Sequence, residues 1–261
     1  MIFHIPHSSK VVPKEQRGFL DLDDHQLNKE LIAVTDTYTD ELFGTHVKES
    51  DSVIIFPISR LILDPERFLD DKEEVMVKFG MGVIYTNTSD GKILRKKPSK
   101  AERESLIRKY YKPHHEFLAK AVRKDLEKYG RALIIDCHSF PSSPLPYELD
   151  QNPDRPDICI GTDEFHTPLS LQQAAKAESI KQGFKCNVNR PYSGSLVPSE
   201  FYRNNKNVYS IMIEINRRLY MNEETGKKRS NFKTCQEKLG HIIDVLRSIM
   251  KIMKIENEHT L

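Results

Sequence analysis

Residues 131–139 read Arg-Ala-Leu-Ile-Ile-Asp-Cys-His-Ser, an apolar run that ends in a polar cluster. Four consecutive apolar residues at positions 132–135 are typical of a strand that is buried on both faces of a parallel sheet. Sheets of this kind present functional side chains just beyond the carboxyl ends of their strands. The stretch therefore predicts a central strand and, at its end, a site that includes His138.

Two other apolar runs end in polar residues of the same kind. Near the N-terminus, a short apolar run leads into Pro-His-Ser-Ser, in which the histidine is His7. Near the other end, the apolar run at residues 208–213 leads into Glu214. Zinc hydrolases typically use three protein ligands and keep a fourth position for water. We therefore expect a hydrolytic metal centre in which a carboxylate joins the two histidines.

A helical pattern over residues 23–43 offers two candidates for that carboxylate. Asp36 and Asp40 are four residues apart, so they lie on one side of the predicted helix, away from its apolar stripe. A solvated helix face would show the same pattern. Periodicity alone therefore leaves the ligand role open.

Glu214 interrupts an apolar run at residues 211–215. A lone carboxylate in such a run is costly to bury unless it is paired or used. A raised pKa in that setting would suit a general base that acts on water. An edge position of the strand, or an ion pair with Arg217 or Arg218, would explain the residue equally well.

Two polar loops are candidates for substrate binding. Residues 59–68 follow a predicted strand and hold Arg60 and Arg67, whose guanidinium groups can bind a carboxylate bidentately. Residues 189–195 read Asn-Arg-Pro-Tyr-Ser-Gly-Ser, and the glycine and small residues allow a ligand to approach the backbone closely. A surface ion-pair network and an ordinary turn are the respective alternatives.

The composition argues against several classes of protein. The chain has 261 residues, 38% of them hydrophobic and 30% charged, and its net charge of +2 gives no surplus for nucleic acid or a membrane surface. The basic stretch at residues 92–112 is interrupted by Glu102 and Glu104, which indicates a solvated helix face. Four scattered cysteines, and no apolar stretch close to the ~20 residues of a membrane span, predict a cytoplasmic protein.

The order of the apolar runs predicts an α/β fold. Alternation of strands and helices indicates helices on both faces of a mostly parallel sheet, in a single domain over residues 1–261. Pro113 is expected to divide a long helix that begins at Ser99 and ends at Gly130. Residues 141–156 form the longest loop and follow His138 closely, as binding loops often do. The predicted strands cover residues 2–5, 53–56, 83–86, 132–135, 157–160 and 208–213.

As an ordered set, the polar segments resemble those of the N-formylglutamate amidohydrolase family. They occur in the family's order and span about residues 5–220, which is most of the chain. The matching segments are residues 5–9, 35–42, 59–67, 111–115, 136–139, 189–194 and 214–217, together with Tyr220.

The resemblance implies a three-layer α/β/α fold with a central, mostly parallel (mixed) sheet. This fold is similar to that of zinc carboxypeptidases and aspartoacylases and is of the phosphorylase/hydrolase-like kind. The implied activity is that of a metal-dependent amidohydrolase acting on a small N-acyl amino acid such as N-formylglutamate, often in histidine breakdown. The implied cofactor is one divalent metal ion, expected to be zinc.

The resemblance also implies residue roles. By position, His7, Asp36 and His138 resemble the metal ligands, with Asp40 competing for the carboxylate place, and Glu214 resembles the base and proton shuttle. The residues that resemble substrate or oxyanion binders are Arg60, Arg67, His115, Arg190, Tyr192, Ser193, Gly194 and Arg217.

Two departures from the family's pattern fall in the expected substrate loops. Where better-known members read Asp-x-Asn-Arg, this chain has Asp64-Pro65-Glu66-Arg67, and where they tend to have two glycines it has Gly194 followed by Ser195. We therefore expect the chemistry to transfer better than the identity of the substrate. A carboxypeptidase-like or other deacylase, and a non-catalytic member that binds a carboxylate, are the alternatives. A serine hydrolase is disfavoured because the chain has no Gly-x-Ser-x-Gly elbow.

Overall fold

The computed structural model of the protein, which describes residues 1–258 and side chains as far as residue 252, contains one central sheet. Its strands are β1 (Ile2–Ile5), β2 (Ser52–Ile55), β3 (Ala132–Phe140), β4 (Ile158–Gly161), β5 (Cys186–Val188) and β6 (Val208–Asn216). Their order across the sheet is β2-β1-β3-β6-β4-β5. Neighbouring strands are parallel except for β4 and β6, so the expected mixed, mostly parallel sheet is confirmed.

Helices cover both faces of the sheet and complete three layers. They are α1 (Lys14–Arg17), α2 (Asp24–Val34), α3 (Thr39–Gly44), α4 (Lys100–Leu106), α5 (Lys112–Tyr129), α6 (Leu169–Lys181) and α7 (Phe232–Glu258). Leu133 and Ile135 of β3 pack in one apolar cluster with α3, α6 and α7. The alternate residues Ala132 and Ile134 pack in another cluster with α5, on the opposite face. The three-layer α/β/α fold is thereby confirmed.

The extent of the domain stays a prediction. The predicted domain covers residues 1–261, and its last three residues lie outside the described part of the chain. Within residues 1–258, no helix combines the length and the apolar character that a membrane crossing requires.

The two strands with polar ends are longer than predicted. β3 and β6 each run for nine buried residues and pair in parallel, with His138 beside Glu214 in the register. The polar residues at 136–139 continue the strand instead of following it, because β6 offers hydrogen-bonding partners along the whole of β3. Two side chains of the expected site are therefore attached to rigid, neighbouring backbone.

The helix predicted over residues 23–43 is wrong in its middle. A break separates α2 from α3, and Tyr38, the residue before α3, has a left-handed φ of 70°. In the break, the backbone N–H of Asp36 donates to the carbonyl oxygen of His7, 2.9 Å away. A long-range hydrogen bond replaces the helical one, so Asp36 and Asp40 do not share a helix face.

The remaining predictions had mixed outcomes. The long helical segment is confirmed, with a capping box at Ser99 and a left-handed Gly130 at its end. A π-helical turn at Ile107–Tyr111 divides it just before Pro113, which cannot donate the usual backbone hydrogen bond. The strand predicted at residues 83–86 is wrong, because this buried segment packs among loop and helix residues and forms no ladder with the sheet.

Candidate metal centre

The carboxyl ends of the central parallel strands meet at one edge of the sheet, where three predicted residues lie. His7 follows β1, His138 lies near the end of β3, and Glu214 lies near the end of β6. All three line a cavity of about 380 Å³. The other predicted site residues that line it are Asp36, Arg60, Arg67, Tyr192, Ser193, Gly194 and Arg217.

His7, Asp36 and His138 come together as a buried group. Candidate ligand atoms of the three residues all lie within 4.8 Å of one another. Oδ2 of Asp36 is 3.1 Å from Nδ1 of His138 and 3.7 Å from Nδ1 of His7. Asp40 is exposed on α3. Of the two aspartates, Asp36 is the one that lies beside the imidazoles.

The imidazoles of His7 and His138 are each hydrogen-bonded to a carboxylate through Nε2, the ring nitrogen farther from Asp36. Nε2 of His7 donates to Asp64 at 2.8 Å, and Nε2 of His138 donates to Asp136 at 3.1 Å. Because an ionised carboxylate only accepts, each Nε2 carries a proton, and each Nδ1, which faces Oδ2 of Asp36, is the nitrogen that would offer a lone pair to a bound cation. Nδ1 of His7 is buried and has no hydrogen-bond partner in the described residues. Metal-binding histidines are typically held in this way, and the donor set fits a divalent cation such as zinc.

Arg217 holds the third candidate ligand. Its Nη2 donates to Oδ1 of Asp36 at 2.9 Å, which leaves Oδ2 toward the imidazoles. Its remaining hydrogen bonds go to Ser139 and to the carbonyl oxygen of Ala33. Every nitrogen of the guanidinium has a partner within the protein, so its position suits the support of Asp36 better than the binding of a substrate.

The carboxylates around the two imidazoles give the site a negative charge, which stabilises positively charged groups there. Burial alone would lower the pKa of His138, but the carboxylates of Glu66 and Asp136 raise it well above its ordinary value. Burial alone would raise the pKa of Asp36, but the neighbouring imidazoles of His138 and His7 and the guanidinium of Arg217 hold it below its ordinary value. The cluster therefore keeps its carboxylates ionised and attracts positive charge, as a cation site requires.

Glu214 faces the cavity from the strand beside His138. Its side chain is buried, and its Oε2 has no hydrogen-bond partner within the described part of the chain. Burial raises the pKa of Glu214 to about 8, against the opposing charge of His138. A carboxyl group with a pKa near neutrality can both take up and release a proton in a reaction.

Both alternatives for Glu214 fail. The residue is not at an edge of the sheet, because β6 lies between β3 and β4. It is not ion-paired with either neighbouring arginine, because Arg217 pairs with Asp36 and Arg218 pairs with Asp157. The carboxyl group is therefore available to the cavity.

The two arginines of residues 59–68 meet at Asp64, which is completely buried. Arg60 donates to Oδ2 of Asp64 at 2.7 Å and to the hydroxyl of Tyr85 at 3.0 Å. Nε of Arg67 lies 3.7 Å from the same Oδ2 and has no hydrogen-bond partner in the described residues. The network is therefore buried rather than superficial, and Arg67 connects it to the cavity that it lines.

The loop at residues 189–195 approaches β4 closely where it borders the cavity. A Cβ atom on Gly161 would lie 2.3 Å from the carbonyl oxygen of Gly194, which is far inside van der Waals contact. Gly194 itself has a φ of 89°, a conformation that favours glycine. The absence of a side chain at residue 161 thus lets the loop reach the cavity.

Two predicted substrate binders lie away from the cavity. Arg190 has a side chain that is 58% exposed and pairs with Asp150 at 3.1 Å. Nε2 of His115 donates to the carbonyl oxygen of Pro65 at 2.8 Å, and the residue lines a separate, neighbouring cavity. The structure therefore does not bring these two residues together with the rest.

Three charged or polar residues of the cavity, Glu66, Tyr147 and Glu148, are given no role in the site by the sequence. Oε2 of Glu66 lies 3.2 Å from Nε2 of His138 and 3.7 Å from Nδ1 of His7. Its signal in the sequence is the departure from the family's Asp-x-Asn-Arg pattern. Tyr147 and Glu148 come from the long loop after β3, and the length and position of that loop are their signal.

A second group of metal-ligating side chains adjoins the first. It consists of His4, Glu66 and Asp136. Nδ1 of His4 lies 2.8 Å from Oδ1 of Asp136, the atom that also accepts from His138, and 3.6 Å from Oε1 of Glu66. The sequence marks His4 merely as part of an apolar strand.

Comparisons with known proteins identify the family of the chain. The profile of the N-formylglutamate amidohydrolase family matches residues 1–221, a segment that includes every residue of the candidate centre. The N-formylglutamate deformylase of Pseudomonas putida is 24% identical over 194 residues, which are 72% of this chain and 71% of that protein. The crystal structure of an N-formylglutamate amidohydrolase from Ralstonia eutropha has a TM-score of 0.81 at 23% identity and covers 96% of this chain and 94% of its own. A gene product of Agrobacterium tumefaciens has a TM-score of 0.67 at 17% identity over 96% and 91% of the two chains.

Proposed function

The chain belongs to the N-formylglutamate amidohydrolase family, and on that premise we propose that it hydrolyses a small N-acyl amino acid such as N-formylglutamate with one divalent metal ion, zinc. The observation that carries the proposal is the convergence of His7, Asp36 and His138 beside Glu214. The first three residues would hold the metal. A divalent cation there would act as a Lewis acid that polarises the carbonyl group and lowers the pKa of water to about 7.

Glu214 has the central chemical role in the proposal. It accepts a proton from the attacking water while the new C–O bond forms at the acyl carbon. It then donates that proton to the leaving nitrogen as the C–N bond breaks, which releases formate and the amino acid when the acyl group is formyl. A pKa raised by burial suits both transfers.

The arginines take the charged parts of the substrate. Arg60 is assigned to the oxyanion that develops on the acyl oxygen, and its fixation by Asp64 supports this role, since a preorganised donor is worth roughly 3–4 kcal/mol. Arg67 is assigned to the carboxylate of the amino acid. Arg217 is assigned to holding Asp36. The loop residues Tyr192, Ser193 and Gly194 are assigned to contacts with the rest of the substrate.

The name of the relative from Pseudomonas putida supports N-formylglutamate as the substrate. The proposal extends to a role in histidine breakdown, which the family resemblance implies, and to the cytoplasmic location that the scattered cysteines predict. The carboxylate of Glu66 adds negative charge to the cavity at a position where the better-known members have an asparagine, so the chemistry transfers better than the identity of the substrate.

Metal removal tests the proposal directly. We expect the purified protein to contain about one zinc ion per chain, to lose hydrolysis of N-formylglutamate after chelation, and to regain it when stoichiometric zinc is added. Elemental analysis and release of glutamate provide the two readouts. A protein that holds no metal and is not activated by any added divalent ion would instead support the non-catalytic, carboxylate-binding alternative.

A substrate panel separates the proposal from the other enzymatic alternative. The same centre would serve a carboxypeptidase-like enzyme or another deacylase. N-formylglutamate, N-acetylglutamate, N-formylglutamine and a C-terminal dipeptide should be compared by kcat/KM. A clear preference for the dipeptide would contradict the amidohydrolase assignment.

Arg67→Met is expected to raise KM for the N-acyl amino acid by about 10- to 100-fold, because a hydrogen bond to a charged group typically contributes about 1.5–3 kcal/mol. The matched control is Arg190→Met, which removes an exposed arginine outside the cavity and should leave KM unchanged. Steady-state kinetics on both variants check the prediction. A larger KM effect in the Arg190 variant would reverse the assignment of the two arginines.

A further inference from the structure

We propose that His4 and His114 are positioning residues for the candidate ligand His138 and that they act through Asp136. The inference rests on the proposed function, because it takes His138 to bind a cation. It also gives the second group of metal-ligating side chains a role, which is to support the first group.

The four side chains form a continuous hydrogen-bonded chain from the cavity to α5. Nε2 of His138 is 3.1 Å from Oδ1 of Asp136, and the same oxygen is 2.8 Å from Nδ1 of His4. Nε2 of His4 is 2.8 Å from Nε2 of His114. None of the four residues is more than 4% exposed. The register of β1 and β3 sets this chain, because it pairs His4 with Asp136.

The carboxylate of Asp136 fixes the proton positions at the centre of this chain. Asp136 only accepts, so His138 and His4 both donate to its Oδ1, and the backbone N–H of Leu196 donates to its Oδ2. The 2.8 Å contact between Nε2 of His4 and Nε2 of His114 requires one proton between them, so this second nitrogen of His4 is also in a hydrogen bond. Burial lowers the pKa of His114 to about 2, which agrees with a neutral ring that has one N–H to donate.

This arrangement leaves His4 without a lone pair for a cation. Its Nδ1 donates to Asp136 and its Nε2 is hydrogen-bonded to His114, so the second group lacks a free nitrogen ligand. The consequence for His138 is that its Nε2 keeps a proton for Asp136, so Nδ1, the nitrogen beside Asp36, is the atom that would bind a cation. Loss of such an outer partner usually lowers metal affinity by about 10- to 100-fold.

Zinc affinity of His4 variants tests the inference. His4→Leu removes both hydrogen bonds, and we expect its zinc dissociation constant to rise by about 10- to 100-fold. His4→Asn keeps a short-chain N–H donor for Asp136 and should recover most of that affinity. The dissociation constant is measured by competition with a chromophoric chelator, and the visible spectrum of the cobalt-loaded protein reports on the ligand geometry.

The matched control is His166→Leu. His166 is also completely buried and also has both ring nitrogens in hydrogen bonds, to the carbonyl oxygen of Val208 and from the backbone N–H of Arg203. It lies at the amino end of β6, away from the cavity. We expect its melting temperature to fall while its zinc dissociation constant stays at the wild-type value.

The outcomes separate this inference from the proposed function. Unchanged zinc affinity in His4→Leu, equal losses in the leucine and asparagine variants, or two zinc ions per wild-type chain would each overturn it alone. A wild-type protein that binds no zinc would overturn the proposed function as well. If His4→Leu does not fold, His114→Leu and His114→Gln provide the same comparison one step further out, with the glutamine variant retaining a donor for His4 and the higher affinity.

Discussion

Glu214→Gln is expected to keep its zinc and to lose at least about two orders of magnitude in kcat, the usual cost of losing a general base. The amide has nearly the shape of the carboxyl group but cannot accept the proton of the attacking water. Because Oε2 of Glu214 has no hydrogen-bond partner in the described residues, the substitution breaks no hydrogen bond of that oxygen. The measurements are kcat for release of the amino acid and zinc content by elemental analysis.

The control for this variant is Glu224→Gln, which makes the same chemical change at an exposed position. It should have wild-type kcat and wild-type zinc content. Near-normal turnover by Glu214→Gln would remove Glu214 from the role of base. Loss of zinc in that variant would assign the residue to the metal instead.

Asp36→Asn is expected to weaken zinc binding by more than the factor of about 100 that marks the loss of an outer partner, because it removes a charged ligand itself. The same change leaves the buried Arg217 without its anion, and breaking a buried ion pair typically costs about 3–5 kcal/mol. The variant should therefore show both a lower zinc affinity and a lower free energy of unfolding. Zinc titration and denaturant unfolding are the two measurements.

Asp40→Asn is the matched control for Asp36→Asn. It changes an exposed aspartate four residues along the chain, and we expect neither zinc affinity nor stability to change. The pair decides between the two carboxylates that the sequence leaves open. Zinc loss in the Asp40 variant with normal binding in the Asp36 variant would exchange their assignments.

The parts of the site that follow buried strands could be predicted from the sequence. His7, His138 and Glu214 each come at or near the end of an apolar run, and parallel strands bring their carboxyl ends to one edge. These predictions depend on local apolarity and on a general property of α/β sheets, both of which are readable from a single chain.

Asp36 shows where local patterns fail. The helical periodicity around it is real on both sides, but a hydrogen bond to His7 and an ion pair with Arg217 interrupt the helix at this residue. Both partners are distant in sequence. The residues next to Asp36 in the sequence therefore do not reveal that these distant contacts favour a break over a continuous helix.

The substrate side was harder to predict for the same reason. In the sequence, Arg67 and Arg190 are both arginines of polar loops and look equivalent. In the folded chain, Arg67 lies beside the buried Asp64, whereas Arg190 pairs with Asp150 away from the cavity. Glu66 was visible as an unusual residue in a known pattern, but its closeness to His138 was not. The order of the motifs in the sequence identifies a set of candidate substrate-binding residues. The packing of the folded chain then decides which of them line the cavity.

The ion pair by which Arg217 holds Asp36 has a consequence for synthesis on the ribosome. Residues 7, 36 and 138 are all translated well before residue 217. Glu214 lies in β6, the strand that inserts between β3 and β4, and Arg217 follows directly after that strand. A nascent chain that stops short of this strand contains all three candidate ligands without the group that orients one of them. Because long-range pairing of this kind forms late and must overcome loop-closure entropy, high-affinity zinc loading should begin only when β6 joins the sheet.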